Sequence, residues 1–255
     1  MKKKSIVIAN WKMNPETLEE AKEIVAVVKR VASGLKRTEV VIAPSFLHLS
    51  AVSKLVGRVR KVSLGAQNAH YKDLGPYTGE VSPPQLKDAG VKYVIIGHSE
   101  RRAVGEGNEL INQKLKSVLG NGLMPVLCIG EKERDRDGNY LQFVKQQLSE
   151  CITGISKKDL LNILFAYEPV WAIGRSFRES MTGTDMHEMS LFIKKGLAAL
   201  FGDDYGWNAK VLYGGSVEPE NAADLIEKGD IAGFLVGHDS LDKDKFKQIL
   251  KICDQ

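Results

Sequence analysis

One pattern recurs along this chain: a short apolar run rich in β-branched residues, followed by a stretch with helical spacing. The apolar runs occupy residues 5–10, 40–43, 62–67, 91–96, 123–129, 162–167, 209–213 and 231–236. They are continuously apolar rather than alternating, as expected of parallel strands buried on both faces. In the first helical stretch Leu18, Ala21, Ile24, Val25 and Val28 recur at spacings of three and four. Pro15 suits its first turn, Asn14 is read as its N-cap, and Gly34 as its stop. Further helices are expected after Pro44 to about Gly57, and over 84–89, 110–119, 140–152, 186–200, 220–227 and 243–252. No Pro- or Gly-rich linker interrupts the series. Eight strand–helix units in 255 residues predict an α/β fold, a closed (β/α)8 barrel forming a single domain over 1–255. A doubly wound open sheet is the alternative, but the Gly-x-Gly-x-x-Gly turn it usually carries after its first strand is missing. The charge-rich stretch 131–138 is read as a solvated surface loop.

Composition narrows the function classes. With 43% hydrophobic and 27% charged residues, the chain matches a soluble globular protein with a sizeable core. The net charge of +4 is small and both signs are interleaved, so neither nucleic acid nor a membrane surface is expected as a partner. Lys2, Lys3 and Lys4 are read as a solvated end. Cys128, Cys151 and Cys253 are far apart and odd in number, suggesting neither a disulfide framework nor a zinc site. No signal peptide and no bilayer-length apolar run is found, so a reducing cytoplasm is the expected compartment.

In a barrel of this kind, chemistry is expected just past the strands. Pro169 biases Glu168 toward extended backbone, placing this carboxylate at the end of the sixth run. Beside Tyr167, Val170 and Trp171 it would lose hydration, as suits a base; an ordinary solvated Glu after a strand is the competing reading, and only the rest of the chain decides between them. After the first run, Asn10 and Lys12 share a direction if the backbone stays extended, although a lone Lys is normally a surface residue. After the fourth run comes His98, with Ser99 read as the cap of the turn that follows. Helical N–H dipoles there would favour an uncharged ring able to donate one hydrogen bond; a purely structural His is the competing reading. Tyr213-Gly214-Gly215-Ser216-Val217 and Gly237-His238 are small-residue turns after the last two strands. In this position they suggest an anion nest. No metal is expected: His48, His70, His98, His187 and His238 lack the short paired spacing of zinc motifs. A serine hydrolase is disfavoured because no Gly-x-Ser-x-Gly elbow is present. A base, a hydrogen-bond donor, a cation and an anion nest together suggest proton abstraction next to a carbonyl.

With these pieces assembled, the chain closely resembles the triosephosphate isomerase family, whose fold is the (β/α)8 TIM barrel. The resemblance rests on Asn10-Trp11-Lys12-Met13-Asn14, Gly65-Ala66-Gln67-Asn68, Gly97-His98-Ser99-Glu100-Arg101-Arg102, Cys128-Ile129-Gly130-Glu131, Ala166-Tyr167-Glu168-Pro169-Val170-Trp171-Ala172-Ile173-Gly174 and Tyr213-Gly214-Gly215-Ser216-Val217. It implies interconversion of dihydroxyacetone phosphate and D-glyceraldehyde 3-phosphate without a cofactor. By resemblance, Glu168 is the base, His98 the electrophile and Lys12 the cation that holds phosphate, with Asn10 beside it. Glu100 resembles the partner that places Lys12, and Cys128 a residue packed in support of the base. Backbone N–H groups of Gly174, Ser216 and Gly237 resemble phosphate donors. Gln67, Asn68 and Thr78 match positions near a homodimer contact.

Two stretches depart from the family pattern. A short Thr-Gly-Lys-Thr-Ala lid is replaced by Arg175-Ser176-Phe177-Arg178-Glu179-Ser180-Met181-Thr182-Gly183, and a second glycine after the eighth strand is replaced by His238. Both departures face the phosphate end. Two alternatives follow: an isomerase of a four-carbon sugar phosphate such as an erythrulose phosphate, and a non-catalytic barrel that binds a phosphometabolite.

Overall fold

The computed structural model describes residues 4–57 and 59–255. Lys2 and Lys3 lie outside the described residues, while Lys4 is exposed. The eight strands are β1 (Ser5–Asn10), β2 (Thr38–Ala43), β3 (Val62–Ala66), β4 (Val91–Ile96), β5 (Met124–Ile129), β6 (Leu164–Tyr167), β7 (Lys210–Tyr213) and β8 (Gly233–Val236). They pair in chain order, all in parallel, and β1 closes on β8 with Ile6 opposite Gly233. The open-sheet alternative is thereby excluded.

Continuous apolar runs are what this geometry requires. Successive side chains on a strand point to opposite faces. Ile6, Ile8, Val41, Ile95, Val126, Leu164 and Leu212 fill the barrel interior. Their neighbours Val7, Ala9, Val40, Ile42, Val94, Leu127, Phe165 and Val211 pack outward against the helices. Truncating a fully buried side chain such as Phe165 to Ala removes packing on the order of 3–5 kcal/mol.

The helices run Leu18–Ala32, Phe46–Val56, Pro83–Asp88, Asn108–Gly120, Asn139–Cys151, Gly183–Phe201, Pro219–Lys228 and Lys243–Cys253, near the expected spans. The first start differs. Thr17 is the N-cap, in a reciprocal capping box with Glu20, so Asn14 does not cap this helix. Short helices at Ser99–Ala103, Lys157–Leu160 and Asp203–Gly206 had no counterpart in the sequence reading. Neither had the 3-10 turns Val170–Ala172, Phe177–Glu179 and His238–Ser240. Among the described residues, no helix is long and apolar enough to cross a membrane. All three cysteines are buried free thiols.

Candidate active site

The strand ends enclose a cleft of about 440 Å³ whose walls include Asn10, Lys12, His98, Glu168, Gly174, Ser216, Gly237 and His238. Each arrives by a local device. Asn10 ends β1, and its Oδ1 accepts the Lys12 backbone N–H at 3.1 Å. Lys12 sits at φ +54°, so the chain has left extended geometry. The alternation expected to aim Lys12 therefore stops at Asn10, and a left-handed turn held by the Asn10 side chain aims it instead. Its Nζ donates to Glu100 Oε1 at 2.7 Å. Gln67 Nε2 donates to the carbonyls of Lys12 and Ala43 at 2.8 and 2.9 Å, clamping the ends of β1 and β2.

His98 follows β4 and is itself the N-cap of Ser99–Ala103; Ser99 is not. Its Nδ1 accepts the Glu100 N–H at 3.2 Å. An accepting Nδ1 leaves Nε2 as the ring's N–H. That nitrogen lies 3.3 Å from Glu168 Oε1.

Glu168 follows β6 and is 2% exposed. Its Oε2 accepts the Ser99 N–H at 2.9 Å, while Oε1 is buried and accepts no hydrogen bond. The 3.3 Å approach of His98 does not meet hydrogen-bond geometry, so no donor is bonded to this oxygen. Gly130 lies so close that a β-carbon there would collide with the Glu168 carbonyl oxygen. Cys128, on β5 opposite Ala166, stands against the carboxylate. Burial, and then the charge of Glu168, push its thiol well above the ordinary range, so it is a protonated neighbour rather than a nucleophile.

The lid base shows a larger departure from the sequence reading. Glu131, read as part of a solvated loop, is 1% exposed. Its carboxylate accepts from Tyr167 Oη at 2.7 Å, Trp171 Nε1 at 2.9 Å and Arg134 Nε at 3.2 Å. Its carbonyl accepts the Val170 N–H at 2.9 Å. Arg134 also covers the faces of Tyr140 and Trp171. The turn after Glu168 is thus fixed from below by one buried carboxylate. Residues 132, 133 and 135–137 are exposed, as expected. Ser216 Oγ donates to the Ala172 carbonyl at 2.9 Å, tying the lid base to the β7 turn.

At the far end of the cleft, exposed His238 opens the His238–Ser240 turn. Two further cleft residues, Asp239 and Lys245, were not singled out from sequence. Arg102, which belongs to a motif singled out from sequence but was given no role of its own, donates to the carbonyls of Gly97 and Cys128. Asn68 Oδ1 accepts from Lys114 Nζ at 2.9 Å, and Thr78 lies exposed on the loop after β3. Among the described residues there is no group of three or more His, Cys, Asp or Glu able to hold a metal ion.

A closed parallel barrel that gathers a buried carboxylate, an imidazole and an ammonium at its strand ends defines the class: a (β/α)8-barrel enzyme. Comparison with known proteins is more specific. The family model described as triosephosphate isomerase matches residues 5–253. The triosephosphate isomerase of Thermoanaerobacter pseudethanolicus is 38% identical over 250 residues, covering 97% of this chain and 99% of the relative. That of Fusobacterium nucleatum subsp. nucleatum is 43% identical over 248 residues, covering 96% and 97%. That of Dictyoglomus thermophilum is 39% identical over 251 residues, covering 98% and 99%. The chain belongs to the triosephosphate isomerase family.

Proposed function

We propose that the chain interconverts dihydroxyacetone phosphate and D-glyceraldehyde 3-phosphate through an enediolate, as an intramolecular oxidoreductase of glycolysis and gluconeogenesis. Glu168 Oε1 removes a proton from the carbon beside the carbonyl. His98 Nε2–H donates to the carbonyl oxygen, then exchanges protons between the two oxygens. Glu168 returns its proton to the neighbouring carbon. Lys12 offsets the developing negative charge, and the turns at Gly174, Ser216 and Gly237 receive the phosphate, with His238 at their edge. No cofactor takes part in this scheme. The observation that carries it is the buried, unpartnered Oε1 of Glu168 facing His98 Nε2 in a cleft that Lys12 enters. A binding protein has no use for such an atom. The relatives carry the triose name, which favours neither the four-carbon nor the non-catalytic alternative.

The decisive variant is Glu168→Gln. Loss of a positioned base is expected to lower kcat by about 10²–10⁴-fold. Affinity for glycerol 3-phosphate, which has no carbonyl to enolise, should stay within about threefold. Unchanged turnover would remove Glu168 from the mechanism.

The whole chain is read as one domain, supported by the pairing of β1 with β8. It is also read as half of a homodimer. Met13, Leu47 and Leu74 are 93, 86 and 88% exposed, Met13 and Leu74 on the loops after β1 and β3 and Leu47 at the start of the helix that follows β2. Exposed apolar groups gathered in this way mark an association surface, and Thr78 shares the loop after β3. Gln67 and Asn68 support that surface through their bonds within the chain. Sedimentation at micromolar concentration should give twice the chain mass, and a monomer would overturn the assignment. The buried free thiols support a reducing compartment such as the cytoplasm.

A further inference from the structure

The phosphate end of the cleft contains a carboxylate that an anion site has no reason to hold. Asp239 is 7% exposed and lines the cleft on the turn after β8. Lys245 reaches both its oxygens, Nζ to Oδ1 at 3.3 Å and to Oδ2 at 3.1 Å. Lys245 lies in the first turn of Lys243–Cys253, where the helix dipole disfavours a cation. Its place there is explained by Asp239, which holds the ammonium above its ordinary pKa, and not by the helix. The charges lining the cleft make its importance clear. Three carboxylates, Glu168, Glu218 and Asp239, stand against three cations, Lys12, Arg175 and Lys245. Without Lys245 the cleft carries a formal negative charge before a phosphorylated substrate arrives. The unpaired charge would also sit at the end where the phosphate docks.

We propose that Lys245 is a positioning residue for the substrate phosphate: by neutralising buried Asp239 it keeps the anion-binding turns of β7 and β8 able to accept a phosphate. The inference rests on the isomerase reading above for the identity of the anion. Lys245 touches no reacting atom, so its effect belongs on binding and not on the chemical step.

The test is a charge cycle read on KM and kcat, and on the Kd of glycerol 3-phosphate measured by calorimetry. Lys245→Met should raise both KM and Kd about 10-fold, equivalent to about 1.4 kcal/mol, with kcat within about twofold. Lys245→Arg should stay near the parent protein. The double variant Asp239→Asn/Lys245→Met should return to within about threefold of the parent, because both charges are gone. The Lys245→Met defect should shrink at high ionic strength, since Lys245 is 41% exposed and its field is screened. A purely structural contact would show no such salt dependence. Should Lys245→Met not fold, Asp239→Asn alone decides: freeing the ammonium should tighten glycerol 3-phosphate by about threefold, and equal or weaker binding overturns the proposal. KM and Kd unchanged in Lys245→Met, or a double variant as impaired as the single, also overturn it. Glycerol 3-phosphate binding needs no turnover. A parent protein that binds it in this charge-dependent way but lacks isomerase activity would defeat the reaction assignment and leave the role of Lys245 standing.

Discussion

A missing β-carbon at Gly214 determines where the Glu168 carboxylate can stand. A β-carbon built there would lie 2.9 Å from Glu168 Cγ and 3.4 Å from the Tyr167 carbonyl oxygen. Both neighbours are fixed, because Tyr167 Oη is bonded to Glu131 and Glu168 Oε2 to the Ser99 amide. Gly214→Ala should therefore displace the carboxylate by a fraction of an ångström. Misplacements of about 1 Å at a reacting group cost on the order of 10²-fold in rate. We expect kcat to fall by about 10–10²-fold, with glycerol 3-phosphate affinity within about threefold and the fold intact by circular dichroism. A parent-like kcat would mean that the base tolerates the shift. Asn10, His98 and Glu168 were legible in the sequence because each stands at the end of an apolar run or within two residues of it, and a strand end in a parallel barrel is a position that can be counted. The conformation that aims Lys12 was not legible, since a left-handed turn at a lysine depends on the Asn10 side chain bending back to its amide. The Asp239–Lys245 pair was hidden among ordinary polar residues and shows only when the turn and the helix are seen to meet.

The elements were legible to the extent that burial fixed their pattern. Strands apolar on both faces and helices of three turns or more left a periodicity that survives in the chain, and their ends fell within a few residues of the expected ones. Lys157–Leu160 and Asp203–Gly206 are four residues each, too short for a helical period to emerge. The N-cap error at the first helix has a specific origin. Pro15 and Asn14 resemble a helix start, but Thr17 and Glu20 satisfy two backbone donors reciprocally and so set the boundary. The same device at Thr182 and Asp185 begins Gly183–Phe201 and ends the lid. The charge-rich loop misled for a different reason. A carboxylate in a charged run is usually solvated, yet Glu131 turns inward because Tyr167 and Trp171, 36 and 40 residues later, supply donors that compensate its burial. Long-range compensation of this kind leaves no signal in a local window. It also couples β5 to the lid base, so the turn that carries Glu168 is held by the strand before it as well as by its own.

At the scale of the whole molecule, the last helix fastens the chain to itself through one carboxylate. Asp254 accepts the backbone N–H groups of Lys36, Arg37 and Thr38 at 2.8, 2.7 and 2.9 Å, joining the chain's end to the start of β2. Partial burial would raise its pKa, but the three amides outweigh this and hold it below the ordinary 3.8. Glu106 repeats the balance inside the helix layer: burial opposes its charge, and Lys114 and Arg101 together bring its pKa below the ordinary 4.5. A carboxylate whose folded pKa is depressed contributes stability that is present in full above its unfolded value and lost as pH falls through the folded one. The window therefore opens near pH 4.5 and extends below 3.8. Urea midpoints at fixed protein concentration should be level from pH 8 to about 5.5 and fall progressively below about 4.5. Asp254→Asn keeps the shape but loses the charge on the acceptor, and should cost about 1–2 kcal/mol at pH 7. That difference should narrow on acidification, because a protonated Asp254 in the parent protein is no better an acceptor than the amide. A gap between the two proteins that stays constant from pH 7 to pH 3 would show that the ionised carboxylate is not what fastens the chain's end to β2.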